Sequence, residues 1–327
     1  VKTAVTGGAG FIGSHLCEAL LAQGLEVTAL DNLETGREEN LAQCLGRPGF
    51  SLVKADVLDP AALESALAGA EWVLHIAGLA DVIPSIQHPA KYFAANAQGT
   101  LNVLQAARGA GVKRFIYAAS SSCYGIPDIL PTGEKSPMRP MSPYALSKLM
   151  GEQMALHWWK VYGLPCVSLR LFNVFGPRAR ARGAYASVFG VFLAQKVHGK
   201  PFTVVGDGNQ TRDFIYVTDV ADAFIAAARS AVCGEAINIG SGAQMSVNLL
   251  AGLLGGPVVH LPKRPGEPDR SWADVSRAKK LLGWSPKVPF EDGVAMMLAR
   301  LEDWRAAQAM DAEDVALATA RLSGLMQ

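Results

Sequence analysis

The chain has 327 residues, half of them apolar and 18% charged, which is enough hydrophobic surface for one large core or two adjoining ones and too much for a disordered chain. A formal net charge of +1, with Lys and Arg dispersed along the sequence, provides no broad basic face for a nucleic-acid backbone, so the basic residues are expected to serve a small anionic ligand. The longest apolar runs, such as Val188 to Ala194, fall far short of the roughly 20 residues that a membrane-spanning helix needs, and no membrane association is expected.

Short apolar runs at Lys2 to Thr6, Glu26 to Leu30, Phe50 to Ala55, Trp72 to Ile76, Arg114 to Ala119 and Cys166 to Leu171 read as strands. Between them, Phe11 to Gln23, Ala61 to Ala68, Pro89 to Arg108 and Pro143 to Tyr162 have the length and apolar spacing of crossover helices. The alternation predicts an α/β fold with a doubly wound parallel sheet, whose ligands sit at the carboxyl ends of the strands. Beyond Phe175 the rhythm loosens into shorter elements, among them Pro201 to Gly206, Val217 to Ala228, Ala236 to Ile239 and Asp274 to Leu282. A first domain is therefore expected over 1–175 and a smaller α/β lobe over 176–304, with room for the chain to cross back to the first. The stretch 305–327, with Asp311 and Glu313 placed as at a helix start, reads either as one amphipathic helix or as a frayed tail.

Thr6-Gly7-Gly8-Ala9-Gly10-Phe11-Ile12-Gly13 joins the first strand directly to the first helix. Gly7 permits the tight turn, Gly10 lets a pyrophosphate approach the backbone, Gly13 lets helix and strand pack closely, and the helix N-terminus faces the negative charge. This is the phosphate-binding turn of a Rossmann domain. Asp31 ends the second strand, where an acid meets adenosine ribose hydroxyls and repels a 2′-phosphate. NAD is thus favoured over NADP, although Arg37 a few residues on keeps the second open, and Asp31 also suits a loop cap. Asp56-Val57 after the third strand, and His75-Ile76-Ala77-Gly78 after the fourth, stand where adenine and ribose neighbours belong.

Tyr144-Ala145-Leu146-Ser147-Lys148 places a phenol and an ammonium one turn apart on the helix that Pro143 starts. A tyrosine with its usual pKa of about 10 is a poor base at neutral pH, but a nearby Lys⁺ and a nicotinamide cation both favour the phenolate. Alone, such a pair is a common surface accident; together with the glycine turn it reads as a catalytic pair. Ser120-Ser121-Ser122 follows the fifth strand, where one hydroxyl is expected to hydrogen-bond the reacting oxygen while others satisfy loop backbone groups. Ser120 is the first choice and Ser122 the second.

These motifs, with Tyr124-Gly125, Arg170 to Pro177, Gly206 to Phe214, Arg264-Pro265-Gly266-Glu267 and Leu282 to Pro286, resemble the extended short-chain dehydrogenase family, and within it the UDP-sugar 4-epimerases. The resemblance covers residue 1 to roughly 300 in the family's order. It implies tightly held NAD. Tyr144 would take the proton of the sugar 4-hydroxyl, assisted by Ser120 and Lys148, while C4 gives its hydride to NAD⁺. The 4-keto sugar would then turn in the pocket and recover the hydride on its other face. Phe11, Ile12, Asn32, Asn96, Ala118 and Phe172 complete the expected cofactor contacts. Related dehydratases follow the first serine or threonine with an Asp-Glu pair, and decarboxylases tend to carry a glutamate there; this chain has Ser121 and Ser122.

On the substrate side the resemblance assigns Asn173, Arg212 and Arg264 to the diphosphate, which arginine grips bidentately, Glu267 to the nucleotide ribose, and Thr203 and Val204 to the flanks of the uracil. Ser271 occupies a position where some 4-epimerases carry a tyrosine that closes the pocket against a 2-acetamido group. Ser187 and Val188, with Gly183 to Ala186, resemble the corresponding segment of enzymes acting on UDP-N-acetylhexosamines or their uronates. UDP-N-acetylglucosamine is expected slightly ahead of UDP-glucose, while Arg178, Arg180 and Arg182 leave a carboxylated sugar open. A non-catalytic NAD-binding sensor on the same fold is the reading of another class, disfavoured by a poised Tyr144.

The five cysteines are scattered without the close pairs that bind zinc, so no metal is expected and most are read as small core residues. No secretion signal is visible, and a cytoplasmic location is expected. The family usually dimerises through the two long helices, here Pro89 to Arg108 and Pro143 to Tyr162. Trp158 and Trp159 suit that interface or the core equally well.

Overall fold

The computed structural model describes residues 1–179, 187–263 and 268–316. Strands β1 (Lys2–Thr6), β2 (Glu26–Asp31), β3 (Phe50–Lys54), β4 (Trp72–His75), β5 (Arg114–Ser120) and β6 (Cys166–Leu171) each end within one residue of the boundary read from the apolar runs. They are followed by β7 (Asn173–Phe175), β8 (Phe202–Val205), β9 (Thr211–Arg212), β10 (Phe214–Tyr216) and β11 (Glu235–Ile239). Seven strands pair in the parallel order β11-β6-β5-β4-β1-β2-β3. A strand such as β6, buried at every position, suits a sheet covered on both faces.

Helix α1 (Phe11–Ala22) covers one face, and α2 (Pro60–Leu67) lies on the other, started by Asp59, whose carboxylate accepts from Ala62 N–H at 3.1 Å. After α3 (Val82–Gln87), the stretch Pro89 to Arg108 departs from the single helix expected of it. It comprises α4 (Pro89–Tyr92), a π-helical turn (Phe93–Gln98) and α5 (Gly99–Gly109). The wide turn carries a fully buried Asn96 whose amide bonds neighbouring elements, and such turns recur at functional sites. Helix α6 (Pro143–Tyr162) runs as the sequence indicates: Ser142 Oγ accepts from Ala145 N–H, Pro143 occupies the first turn, and Gly163 closes it with φ +68°.

Helices α7 (Val188–Val197) and α8 (Val217–Arg229) follow, then β12 (Met245–Ser246), α9 (Val247–Leu254), β13 (Val258–Leu261), α10 (Ser276–Leu282) and α11 (Phe290–Leu298). The residues past 175 do not stay together in one lobe. α8 packs beside α1 in the core under the large sheet, and β11 pairs with β6. α10 joins them through Ala278, and the other elements past Phe175 surround a second core rich in aromatics, in which Phe175 stacks on Phe189 at 4.4 Å and Phe214 on Phe290 at 5.4 Å. Phe11 and Ile12 at the start of α1 pack on this core too, so the first helix touches both hydrophobic interiors.

The stretch after α11 continues through a 3-10 turn, Leu301–Trp304, to a helical turn at 312–316 begun by Asp311, whose carboxylate accepts from Asp314 N–H at 3.0 Å. Four of the five cysteines are buried and all are free thiols. Trp158 is half-buried against the first domain's core, and Trp159 lies more exposed over Gly234. Among the described residues no helix is long and apolar enough to cross a membrane, and no group of three His, Cys, Asp or Glu side chains could hold a metal ion.

Candidate active site at the carboxyl edge of the sheet

Because every strand of the large sheet is parallel, Thr6, His75, Ser120 and Leu171 end on one edge, and the crevice opens between β1 and β4, where the chain's direction of crossover reverses. The glycine turn lies in that crevice. Gly7 adopts φ +70°, a left-handed conformation that favours glycine. A Cβ on Gly13 would stand 2.0 Å from Gly7 O, so the close approach of helix to turn requires glycine there. Gly8, not singled out from sequence, is equally constrained: its Cβ would meet Ala29 Cβ at 2.6 Å. No side chain caps α1 at Gly10, which leaves its first N–H groups to an anion. The cradle fits a dinucleotide pyrophosphate.

Asp31 caps its loop. Its Oδ2 accepts from Ala9 N–H at 3.0 Å and Oδ1 from Leu33 N–H at 2.9 Å, while burial pushes the carboxyl above its usual value against those two bonds. Each oxygen keeps a lone pair for a hydroxyl donor. Asn40, another residue missed from sequence, donates to Ala9 O at 2.8 Å and locks the same loop. Asn32 donates to Asp56 Oδ2 at 2.8 Å, which brings these two expected neighbours together. Val57 is buried, with its carbonyl accepting from Asn102.

His75 does not open towards a ligand. It is fully buried, with Nδ1 2.6 Å from Thr6 Oγ1 and Nε2 3.0 Å from Thr100 Oγ1. Thr100 donates to Asn96 O and so accepts from Nε2–H, while Thr6 Oγ1 accepts from Ala77 N–H and donates to Nδ1. Burial, aided by the nearby Lys148 charge, pushes the imidazole down to about 3, so it is neutral. Asn96, expected against the cofactor, is likewise occupied: Oδ1 accepts from Leu79 N–H, and Nδ2 donates to Leu79 O and to Ser147 Oγ at 2.9 Å. It packs beneath Gly78, whose Cβ would fall 2.7 Å from Asn96 Oδ1. Asn96 therefore fixes the Ile76 to Leu79 loop onto the helix of Tyr144. Ala118 and Phe172 are buried in the two walls.

At the end of β5, Ser120 Oγ and Ser122 Oγ lie 2.6 Å apart, beside the half-buried Tyr144. Burial pushes Tyr144 up to about 12, opposed by the neighbouring serine hydroxyls. Lys148 is 6% exposed, with Nζ 4.4 Å from the Tyr117 ring centroid, and burial pushes it down to about 8. Behind it, Glu152 and Arg170 form a buried pair, and Arg170 reaches Tyr124 Oη at 2.8 Å, so the segment that follows the serines is held from below.

The substrate-side residues lie along the second core. Asn173 is exposed on β7, and Arg212, on β9, is half-buried. Ser271 is half-buried, its N–H donating to Thr211 O, in a strap that bridges Thr211 to Thr132. Asp213, within a motif noted from sequence but not itself selected, accepts from Ser241 N–H and Oγ–H, Gly242 N–H and Ala273 N–H, and so clamps that strap. Ser187 caps α7 by accepting from Gly190 N–H, and Val188 begins that helix. Thr203 and Val204 are buried, Val204 wholly within the second core. Arg178 is committed to Glu18 at 2.6 Å and to Ser14. Arg180, Arg182, Gly183 to Ala186, Arg264 and Glu267 lie outside the described residues.

A dinucleotide cradle facing a Ser-Tyr-Lys cluster across one sheet edge defines a nicotinamide-dependent enzyme of the short-chain dehydrogenase type. Residues 3–240 match the model of the NAD dependent epimerase/dehydratase family, and the chain belongs to that family, with NAD as its cofactor. It is 39% identical over 305 residues to a UDP-glucose 4-epimerase of Mycolicibacterium smegmatis, covering 90% of this chain and 96% of the relative. Among solved structures it resembles a UDP-N-acetylglucosamine 4-epimerase of Methanobrevibacter ruminantium M1 in complex with UDP-N-acetylmuramic acid, at 34% identity and TM-score 0.86, covering 91% of this chain and 98% of that one. It also resembles a UDP-glucuronic acid 4-epimerase of Bacillus cereus in complex with UDP-glucuronic acid and NAD, at 33% identity and TM-score 0.85, covering 92% and 99%.

Proposed function

We propose that the protein is a UDP-hexose 4-epimerase that inverts C4 of UDP-N-acetylglucosamine or UDP-glucose, the acetamido sugar being preferred. The observation that carries the reading is the Ser120–Ser122 hydroxyl pair beside Tyr144, with the buried Lys148 one helical turn on, and Ser121 and Ser122 where a dehydratase would need carboxylates. Gly7, Gly10 and Gly13 hold the pyrophosphate of NAD and Asp31 the adenosine ribose. NAD, when bound, supplies the acceptor and donor of one hydride, so no net oxidation occurs. Tyr144 Oη takes the proton of the sugar 4-hydroxyl and later returns it. Ser120, backed by Ser122, donates to the reacting oxygen, and Lys148 favours the phenolate by charge.

Asn173, Arg212 and Arg264 hold the diphosphate, Glu267 the ribose and the β8 backbone the uracil. Ser187, Val188 and Ser271 border the sugar, where the small Ser271 leaves room for a 2-acetamido group. A uronate is less well served, because Arg178 is spent on Glu18. Two functional units are inferred: an NAD-binding domain formed by 1–175 together with α8 and β11, and a sugar-nucleotide lobe formed by the remaining elements. The protein is inferred to be a cytoplasmic homodimer, with Leu146 and Met150 of α6 exposed one turn apart for the contact.

The test is incubation of the protein, without added reductant, with UDP-glucose, UDP-N-acetylglucosamine and UDP-glucuronate in parallel, followed by NMR. Appearance of a C4 epimer that Tyr144→Phe abolishes supports the reading. Bound NAD with no change in any sugar overturns it.

A further inference from the structure

Gln195, near the end of α7, is fully buried and joins three separate parts of the chain. Its Oε1 accepts from Thr203 N–H at 3.1 Å, and its Nε2 donates to Thr203 Oγ1 at 2.8 Å and to Met310 O at 2.9 Å. The two backbone partners fix the amide's orientation, since a flipped group would set its NH₂ against an N–H and its oxygen against a carbonyl. Close by, Lys200 Nζ donates to Ala309 O at 2.9 Å. The stretch after Trp304 is therefore docked by hydrogen bonds as well as by burial of Ala307, Met310 and Val315.

Both elements that Gln195 joins to this stretch belong to the wall read above as the nucleotide side. α7 begins at Ser187 and β8 carries Thr203. A buried amide with all three of its bonds made against rigid partners holds their separation, because any shift leaves a polar group unpaired.

We propose that residues 305–316 form a brace that sets the nucleotide affinity of the site, and that Gln195 is the positioning residue through which it acts on β8. This rests on the UDP-sugar reading for the identity of the ligand. The brace fixes β8 and the start of α7 at the spacing that receives uridine diphosphate, while the bonds of Gln195 and Lys200 reach neither Tyr144 nor Lys148 nor the glycine turn.

The experiment measures UDP binding to the full-length, NAD-loaded protein by calorimetry, alongside kcat, KM and NAD content. Gln195→Met, similar in volume but without the amide, is expected to raise the UDP Kd and the sugar-nucleotide KM tenfold or more, with kcat and NAD content within twofold of the parent. Lys200→Met, which releases only Ala309, is expected to raise both two- to fivefold and serves if the first variant does not fold. Unchanged UDP affinity in a folded Gln195→Met, or in Lys200→Met where that is the one that folds, overturns the brace. A fall in kcat with unchanged KM overturns it as well. Failure of the parent itself to bind UDP overturns the UDP-sugar reading instead, which separates the two.

Discussion

The Glu152 carboxylate and the Arg170 guanidinium meet side by side behind the catalytic helix, Nη2 to Oε1 at 2.6 Å and Nε to Oε2 at 2.9 Å, with both side chains under a tenth exposed. Ser168 Oγ also donates to Glu152, and Arg170 donates to Tyr124 Oη and Glu134 O. Removing one charge strands the other in the interior. Glu152→Gln is expected to cost about 3 to 5 kcal/mol in urea unfolding, and Glu152→Met combined with Arg170→Met to recover most of it. A loss below about 1 kcal/mol for the single variant, the size expected of a surface pair, would contradict the buried geometry.

His75 makes the protein sensitive to acid. The native imidazole is held down to about 3, whereas in the unfolded chain it titrates near its ordinary value of about 6.5. Between those values only the unfolded state binds the proton, so stability falls as pH drops, by about 1.4 kcal/mol per unit from this group, and is unaffected by it above pH ~6.5. His75→Asn should therefore show a shallower decline of unfolding free energy between pH ~6 and ~4 than the parent. Parallel curves would show that the ring already titrates in the native state.

Tyr144 must lose a proton to act, and burial opposes that loss. The acid limb of kcat/KM in the NAD-loaded protein is expected to report this group, with activity rising with pH. Lys148→Met should move the limb to higher pH and lower kcat, and Tyr144→Phe should lower kcat by about 10² to 10⁴ while leaving bound NAD in place. An acid limb that Lys148→Met leaves where it was would remove the ammonium from the activation of Tyr144.

Ser271 sits half-buried on the strap that Thr211 and Thr132 hold. Ser271→Tyr is expected to lower kcat/KM for UDP-N-acetylglucosamine at least tenfold more than for UDP-glucose, because a ring fills the space of the acetamido group. Equal losses on both sugars, from progress curves under the same conditions, would place the 2-substituent elsewhere.

How far these sites are legible in the sequence depends on how local their causes are. β1 and α6 are marked by their own residues: an apolar run ending in Gly7, and Ser142-Pro143 with Gly163 at the two ends. Tyr144 and Lys148 follow from the helical spacing of α6 once the glycine turn after β1 gives the pair a use. The π turn around Asn96 has no such mark, since its wide turn goes with contacts to Leu79 and Ser147, which lie far away in sequence. The same holds for His75, which is neutral because it is buried among Thr6, Thr100 and the distant Lys148, and for Val204, whose strand pattern does not tell which face meets the second core. The α8 and β11 pair looked like part of the second lobe because chain order, not space, was the guide.

The late arrival of β11 bears on how the protein is made. β6 is complete at Leu171, but the partner for its outer edge begins only at Glu235, so the whole stretch 172–234 has to leave the ribosome before the sheet can finish. Until then a strand buried at every position in the finished protein offers unpaired N–H and C=O groups to other nascent chains. Part of the second lobe, β7 to β10, lies in sequence between two adjacent strands of one sheet, and its synthesis is a delay during which the first domain is open to misassembly.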